Sequence, residues 1–226
     1  MLGATSMASG SRKSKSCFSS GTTGWKLSPW FSFCLDNFKI DYMIETDRLL
    51  LRPFVQSDAK DAFEYLKGPM VNCFASMRLD SLQEAELEME KRSKNQEYYF
   101  AIVLKSNGKV IGEIFASPED PSCDGKDSIP DTFSPCWMLN RNYEHQGYAY
   151  EAAHAFFDYL FKEKGARRIY AYTEDYNIAS QKLCEKLGMR REGLFMEFVS
   201  FVNNPDGTPV YENTAVYAIL KKEWMK

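Results

Sequence analysis

Glu144-His145-Gln146-Gly147-Tyr148-Ala149-Tyr150-Glu151-Ala152-Ala153 is a polar turn carrying a single glycine that opens directly into a long amphipathic helix. Just upstream, Cys136-Trp137-Met138-Leu139 reads as a strand. A strand, a glycine turn and a helix start together form an anion site. Unpaired backbone N–H groups project from the helix N-terminus, and the helix dipole adds about half a positive charge there.

Outward from this run, the pattern alternates strands and helices. Ile44 to Phe54 reads as a strand, stopped at Pro53. Ser57-Asp58 caps a helix that ends at Gly68-Pro69, and Ser81 caps another that runs to about Asn95. Tyr98 to Leu104 and Lys109 to Ala116 form a hairpin around Asn107-Gly108. Pro118 to Asp131 reads as a long loop, followed by a strand over Ser134 to Leu139. The helix from Gly147 places Ala149, Ala153, Phe156 and Leu160 on one face and ends at Gly165. Arg167 to Thr173 is a strand, and Asn177 caps a short helix closed by Gly188. Glu192 to Val202 and Val210 to Leu220 form a last antiparallel pair. The order predicts an α+β fold with a mixed, mostly antiparallel central sheet flanked by helices. Its one crossover, from strand 134–139 through the helix to strand 167–173, is expected to be a right-handed parallel βαβ unit. A ligand in such a unit sits beyond the strand's carboxyl end, at the helix N-terminus.

Composition narrows the function. The 226 residues carry 44% hydrophobic and 15% aromatic side chains, which suits one packed domain. A net charge of −3 argues against nucleic-acid binding. Residues 1–35 hold four basic side chains and no acid, so the remainder is more acidic, a balance that serves ordinary solubility or a field favouring a cationic substrate. Six scattered cysteines without a C-x-x-C pair and two histidines nine apart make neither a zinc pattern nor a disulfide framework, so no metal is expected. No apolar run is long enough to span a membrane, and a reducing cytoplasm is the expected location. Residues 1–42 are rich in Ser, Gly and Thr and read as a disordered or non-native extension: a start-site artefact upstream of Met43, or a transit peptide. The domain is expected over residues 43–226.

Four stretches carry a family resemblance: IETDRLLLRPF, WMLNRNYEHQGYAYEAA, NIASQKLCEKLGMRREG and YENTAVYAILKKEW. In their order and spacing the chain resembles the GNAT superfamily of acetyl-CoA-dependent N-acetyltransferases, and most closely the branch containing the ribosomal-protein alanine N-acetyltransferases. The resemblance implies the GNAT fold, acetyl-CoA as cosubstrate, and a primary amine as acceptor, either a protein N-terminus or a small molecule. It implies a monomer or a homodimer, without nucleic acid or membrane.

It also implies roles for particular residues. The family's pyrophosphate-binding turn matches Glu144 to Ala149, so His145, Gln146, Gly147, Tyr148 and Ala149 are expected to bind the cofactor. Glu144 and His145 depart from the usual residues, and a carboxylate beside a pyrophosphate must point away or pair, with Arg141 a candidate partner. Met138, Leu139 and Asn140 match the strand that binds the pantetheine arm. Asn177, a good N-cap in its own right, is also expected to contact the cofactor. Some family members carry a tyrosine that protonates the leaving thiolate where this chain has Cys184, so Ser180 becomes the expected donor. For the general base, Glu197 within Leu194-Phe195-Met196-Glu197-Phe198-Val199 is the first expectation and Glu113 within Ile111-Gly112-Glu113-Ile114 the second. Cysteine nucleophilic catalysis lacks a histidine partner. A non-catalytic acyl-CoA-binding or interaction module is the competing reading.

Overall fold

The computed structural model describes residues 42–119 and 130–226. The expectation for residues 1–42 and most of the loop expected after Pro118 therefore lie outside the described residues. Thirteen elements follow in chain order: β1 (Ile44–Glu45), β2 (Leu49–Arg52), α1 (Ala59–Leu66), α2 (Leu82–Arg92), β3 (Tyr99–Leu104), β4 (Val110–Glu119), β5 (Thr132–Leu139), α3 (Tyr148–Lys162), β6 (Arg168–Glu174), α4 (Ile178–Lys186), β7 (Arg190–Asn203), β8 (Pro209–Leu220) and α5 (Lys221–Trp224). They build one eight-stranded sheet in the order β1-β2-β3-β4-β5-β6-β8-β7. Every neighbouring pair is antiparallel except β5 and β6. This is the mixed, mostly antiparallel sheet that the sequence pattern predicts, with the parallel pair at the predicted crossover.

The sheet buries a core on each face. On one side, α3 presents Ala153, Phe156, Phe157, Leu160 and Phe161, all fully buried, against Leu49, Phe100, Ile114 and Ile169. Each of these phenylalanine and leucine side chains contributes about 1.5–3 kcal/mol. On the other side, α1 and α2 pack Leu66, Ala85 and Met89 against Phe54, Ala101 and Val103. The local start signals are legible in the geometry. Ser81 Oγ accepts from the Glu84 amide, and Asn177 Oδ1 accepts from the Ser180 amide. Strand β4 runs further than expected, to Glu119, because it stays paired with β5 from Gly112 to its end.

One glycine is needed by the sheet itself. A Cβ on Gly112 would stand 2.3 Å from the Met138 carbonyl oxygen, so β4 and β5 approach at that point only because residue 112 has no side chain. Among the described residues, no helix is long and apolar enough to cross a membrane, and no group of three metal-ligating side chains gathers.

Candidate functional site

Strands β5 and β6 pair only at Thr132–Arg168 and Phe133–Ile169, then part. Asn140 donates its amide to Ile111 at 2.7 Å, and the β4–β5 register is unbroken. Strand alternation therefore turns the backbone groups of Trp137 and Leu139 away from β4, into the gap. A cavity of about 380 Å³ fills the gap, reaching from Trp137, Asn177 and Ser180 to a 3-10 turn at Asn72–Met77 and the aromatic side chains of β7.

The glycine turn lies at the N-terminus of α3. Gly147 is its N-cap with φ +83, a left-handed conformation that costs an L side chain about 1–2 kcal/mol. His145, at φ 59, is left-handed too. No side chain caps this helix, and the first amide to find an intrahelical acceptor is that of Glu151, on the Gly147 carbonyl. The amides of Tyr148, Ala149 and Tyr150 are thus available to an anion. Glu151 would oppose an anion here, but its carboxylate is engaged elsewhere. Thr46 Oγ1 donates to it at 2.6 Å, the Arg48 amide at 2.9 Å and the Arg48 guanidinium at 2.6 Å. Burial alone would raise the Glu151 pKa; these donors outweigh it and hold the carboxyl below its ordinary value. Arg48 also donates to the Gln146 carbonyl at 3.0 Å and lies 4.4 Å over the Tyr148 ring, so it braces the turn and adds a cation beside it. Glu144 and Arg141 are both exposed and make no ion pair with each other, so the pairing considered for Glu144 is not found.

Across the gap, Asn177 spends its Oδ1 on the α4 cap and keeps its Nδ2 group for the cavity. Trp137 Nε1 donates to Ser180 Oγ at 2.9 Å, which leaves the Ser180 hydroxyl proton available. Met138 and Leu139 are half-buried, their side chains on opposite faces of the sheet. Asn140 differs from the expectation. It is 3% exposed, its amide is bound to Ile111, Nδ2 donates to Glu64 and Oδ1 accepts from Asn142. Those bonds make it a strut that fixes the end of β5.

The acetyltransferase (GNAT) domain family model matches residues 48–190. The chain belongs to the GNAT acetyltransferase family. An uncharacterised N-acetyltransferase of Bacillus subtilis, YnaD, is 32% identical over 181 residues, covering 80% of this chain and 98% of that protein. Among solved structures, a GNAT-family acetyltransferase from Bacillus anthracis superposes with a TM-score of 0.68 at 28% identity, covering 80% of this chain and all of that one. The ribosomal-protein-S5-alanine acetyltransferase of Vibrio fischeri superposes at 0.59 with 19% identity, over 81% of this chain and 99% of that one, a likeness of fold. This protein is an acetyltransferase, and its family uses acetyl-CoA and implies an amine acceptor.

The carboxylates of this acetyltransferase sit differently from the expectation. Glu113 faces inward and is fully buried, where it meets Arg92 in an ion pair and accepts from Tyr65 at 3.0 Å and Tyr99 at 2.9 Å. Burial followed by the Glu113 charge pushes both tyrosines up; burial opposes the Arg92 charge, and Glu113 outweighs it. With its oxygens committed to a cation and two hydroxyls, Glu113 is a core ion and not an open base. Glu197 stands on a bulge of β7 at φ 47, exposed and away from the cavity lining. Bulging turns it out of the alternation that would have aimed it inward. Cys184 is fully buried and its thiol is pushed up to about 12, chiefly by burial, so it offers the leaving group no proton.

The acid that does face the cavity is Glu174, at the carboxyl end of β6 and 4% exposed. Among the described residues it has no cationic partner. The Cys73 thiol lies beside it and is pushed up by burial and then by the Glu174 carboxylate. Glu212, also buried, is held by Asn72 Nδ2 and, at 3.2 Å, by the Tyr176 hydroxyl. That tyrosine is pushed up to about 12, by burial first and, against the Asn72 amide, by the Glu174 and Glu212 charges. The sequence held a signal for Glu174: it lies three residues before Asn177 at the carboxyl end of the crossover strand, where such sheets bind ligands.

Proposed function

We propose that this enzyme transfers the acetyl group of acetyl-CoA to a primary amine by direct attack in a ternary complex. The observation that carries the reading is the parted β5–β6 pair, with a cavity lined by Trp137, Asn177 and Ser180 in its gap and the open N-terminus of α3 following β5 in the chain. The α3 amides with Arg48 fit a pyrophosphate, and the Trp137 and Leu139 backbone groups fit an extended amide-bearing arm laid along β5. An N–H in the gap supports charge on the thioester oxygen as it develops; one such donor is typically worth about 3 kcal/mol. Ser180, oriented by Trp137, hydrogen-bonds the departing sulfur. The acceptor's ammonium group gives one proton to a base, the freed amine nitrogen forms the new bond to the carbonyl carbon, the C–S bond breaks, and the second proton that the nitrogen loses ends on the thiolate.

The wider acceptor class, protein N-terminus or small amine, is tested by mass spectrometry of amines and peptides incubated with enzyme and acetyl-CoA. Acetylated amine with stoichiometric thiol release is the expected result. Binding of acetyl-CoA without turnover across a broad panel would move the assignment to an acyl-CoA-binding module.

A further inference from the structure

We infer that the acceptor is a small primary amine on a flat, apolar body without an anionic group, and that its ammonium group docks on Glu174. The inference rests on the acetyl-transfer reading above and narrows its acceptor. Glu174 is buried at the inner end of the cavity, and it is the one charged side chain among the described residues lining it. A buried carboxylate without a cation is a place that a ligand's cation completes. At the outer end, Tyr172, Phe198 and Phe201 line the cavity while 49%, 52% and 41% exposed. The Tyr172 and Phe198 rings stand 5.9 Å apart, and Phe195 stacks behind Phe198 at 4.9 Å. Exposed aromatic side chains around one mouth mark a surface for an apolar partner.

The lone carboxylate sets the selectivity. Among the described lining residues a carboxylate or phosphate on the acceptor would meet Glu174 and none of Lys, Arg or His, so Glu174 repels it there. The end beside Trp137, Asn177 and Ser180 belongs to the acyl donor. The rest of the roughly 380 Å³ takes a body about one or two rings in size. Glu174 then has a chemical role as well. It accepts the ammonium proton, freeing the nitrogen lone pair to attack the thioester carbon; as the C–S bond breaks, the thiolate takes the second proton that the nitrogen must lose.

The test uses the full-length enzyme with acetyl-CoA and four acceptors: 2-phenylethylamine, phenylalanine, glucosamine 6-phosphate, and a dodecapeptide with a free N-terminal alanine. We expect kcat/KM for 2-phenylethylamine to exceed that of each of the others at least tenfold. A higher value for any of them overturns this inference and leaves acetyl transfer to an amine standing, whereas acetylation of none, with acetyl-CoA bound, overturns both. Glu174→Gln, nearly isosteric, is expected to lower kcat/KM for 2-phenylethylamine at least a hundredfold, with acetyl-CoA affinity by calorimetry within twofold. Retained activity would take the ammonium away from Glu174. Phe198→Ala, at an exposed position, is expected to raise KM about tenfold for 2-phenylethylamine and not for methylamine; an equal change for both would remove the aromatic slot.

Discussion

The Trp137 indole N–H donates to the Ser180 hydroxyl oxygen at 2.9 Å, joining β5 to the first turn of α4 across the gap where the sheet opens. The bond fixes the Ser180 rotamer and leaves its proton for an acceptor in the cavity. Ser180→Ala is expected to lower kcat by about 10- to 100-fold with acetyl-CoA affinity nearly unchanged, the size expected for loss of a positioned hydrogen bond to the departing sulfur. Trp137→Phe keeps the ring and removes the N–H, so a smaller loss of about two- to tenfold is expected. Steady-state kinetics with calorimetry of acetyl-CoA binding separates the two.

Gly147→Asp places an L side chain at φ +83 and a carboxylate among the uncapped amides proposed to hold the pyrophosphate. Acetyl-CoA affinity is expected to fall by roughly tenfold or more. Unchanged affinity by calorimetry would remove the pyrophosphate from this turn.

The Thr46–Arg48–Glu151 cluster links β1 and β2 to the start of α3, so its charge state bears on stability. The Glu151 carboxyl has a folded pKa below its ordinary value of 4.5. A depressed acid contributes stability above its unfolded pKa and loses it as pH falls through the folded value. Thermal unfolding is therefore expected at a lower temperature below about pH 4 than at pH 7, and Glu151→Gln is expected to flatten that dependence while lowering Tm at pH 7. An unaltered acid limb in Glu151→Gln would assign the dependence to other carboxylates.

Arg92→Ala strips the cation from a fully buried carboxylate, Glu113. Breaking such a pair costs about 3–5 kcal/mol, or about 10 °C in Tm for a domain of this size. Glu113→Gln is expected to destabilise too while leaving the shape of the pH–rate profile intact. A changed profile in a well-folded Glu113→Gln enzyme would return Glu113 to the reacting centre.

Glu197→Gln changes an exposed side chain outside the cavity lining, and kcat/KM is expected to stay within about twofold of the unsubstituted enzyme. A larger loss on the amine, with acetyl-CoA binding intact, would bring β7 back into the chemistry.

Short-range features were legible because their causes are short-range. The Gly147 turn, the Asn177 and Ser81 caps and the Asn107-Gly108 hairpin each depend on a few adjacent residues, and the alternation of strands and helices follows from the period of burial. The 3-10 turn at Asn72–Met77, which roofs the cavity, had no such signature. It is held there by Glu212 of β8, 140 residues away from Asn72. Arg48 was visible as a residue and not as a brace, because its partner Glu151 lies 103 residues along the chain.

The element order, the parallel crossover and the glycine turn that opens α3 could all be read from the residues in line, since the three follow from backbone conformation and local periodicity. Tertiary structure alone decided which carboxylate is available. Glu113, Glu197 and Glu174 each sit in or beside an apolar stretch of strand. Packing neutralises the first with Arg92, a bulge turns the second to solvent, and the parting of β5 from β6 leaves the third facing a cavity. A carboxylate's chemistry is set by what stands within a few ångströms of it, and in this fold those neighbours come from distant parts of the chain.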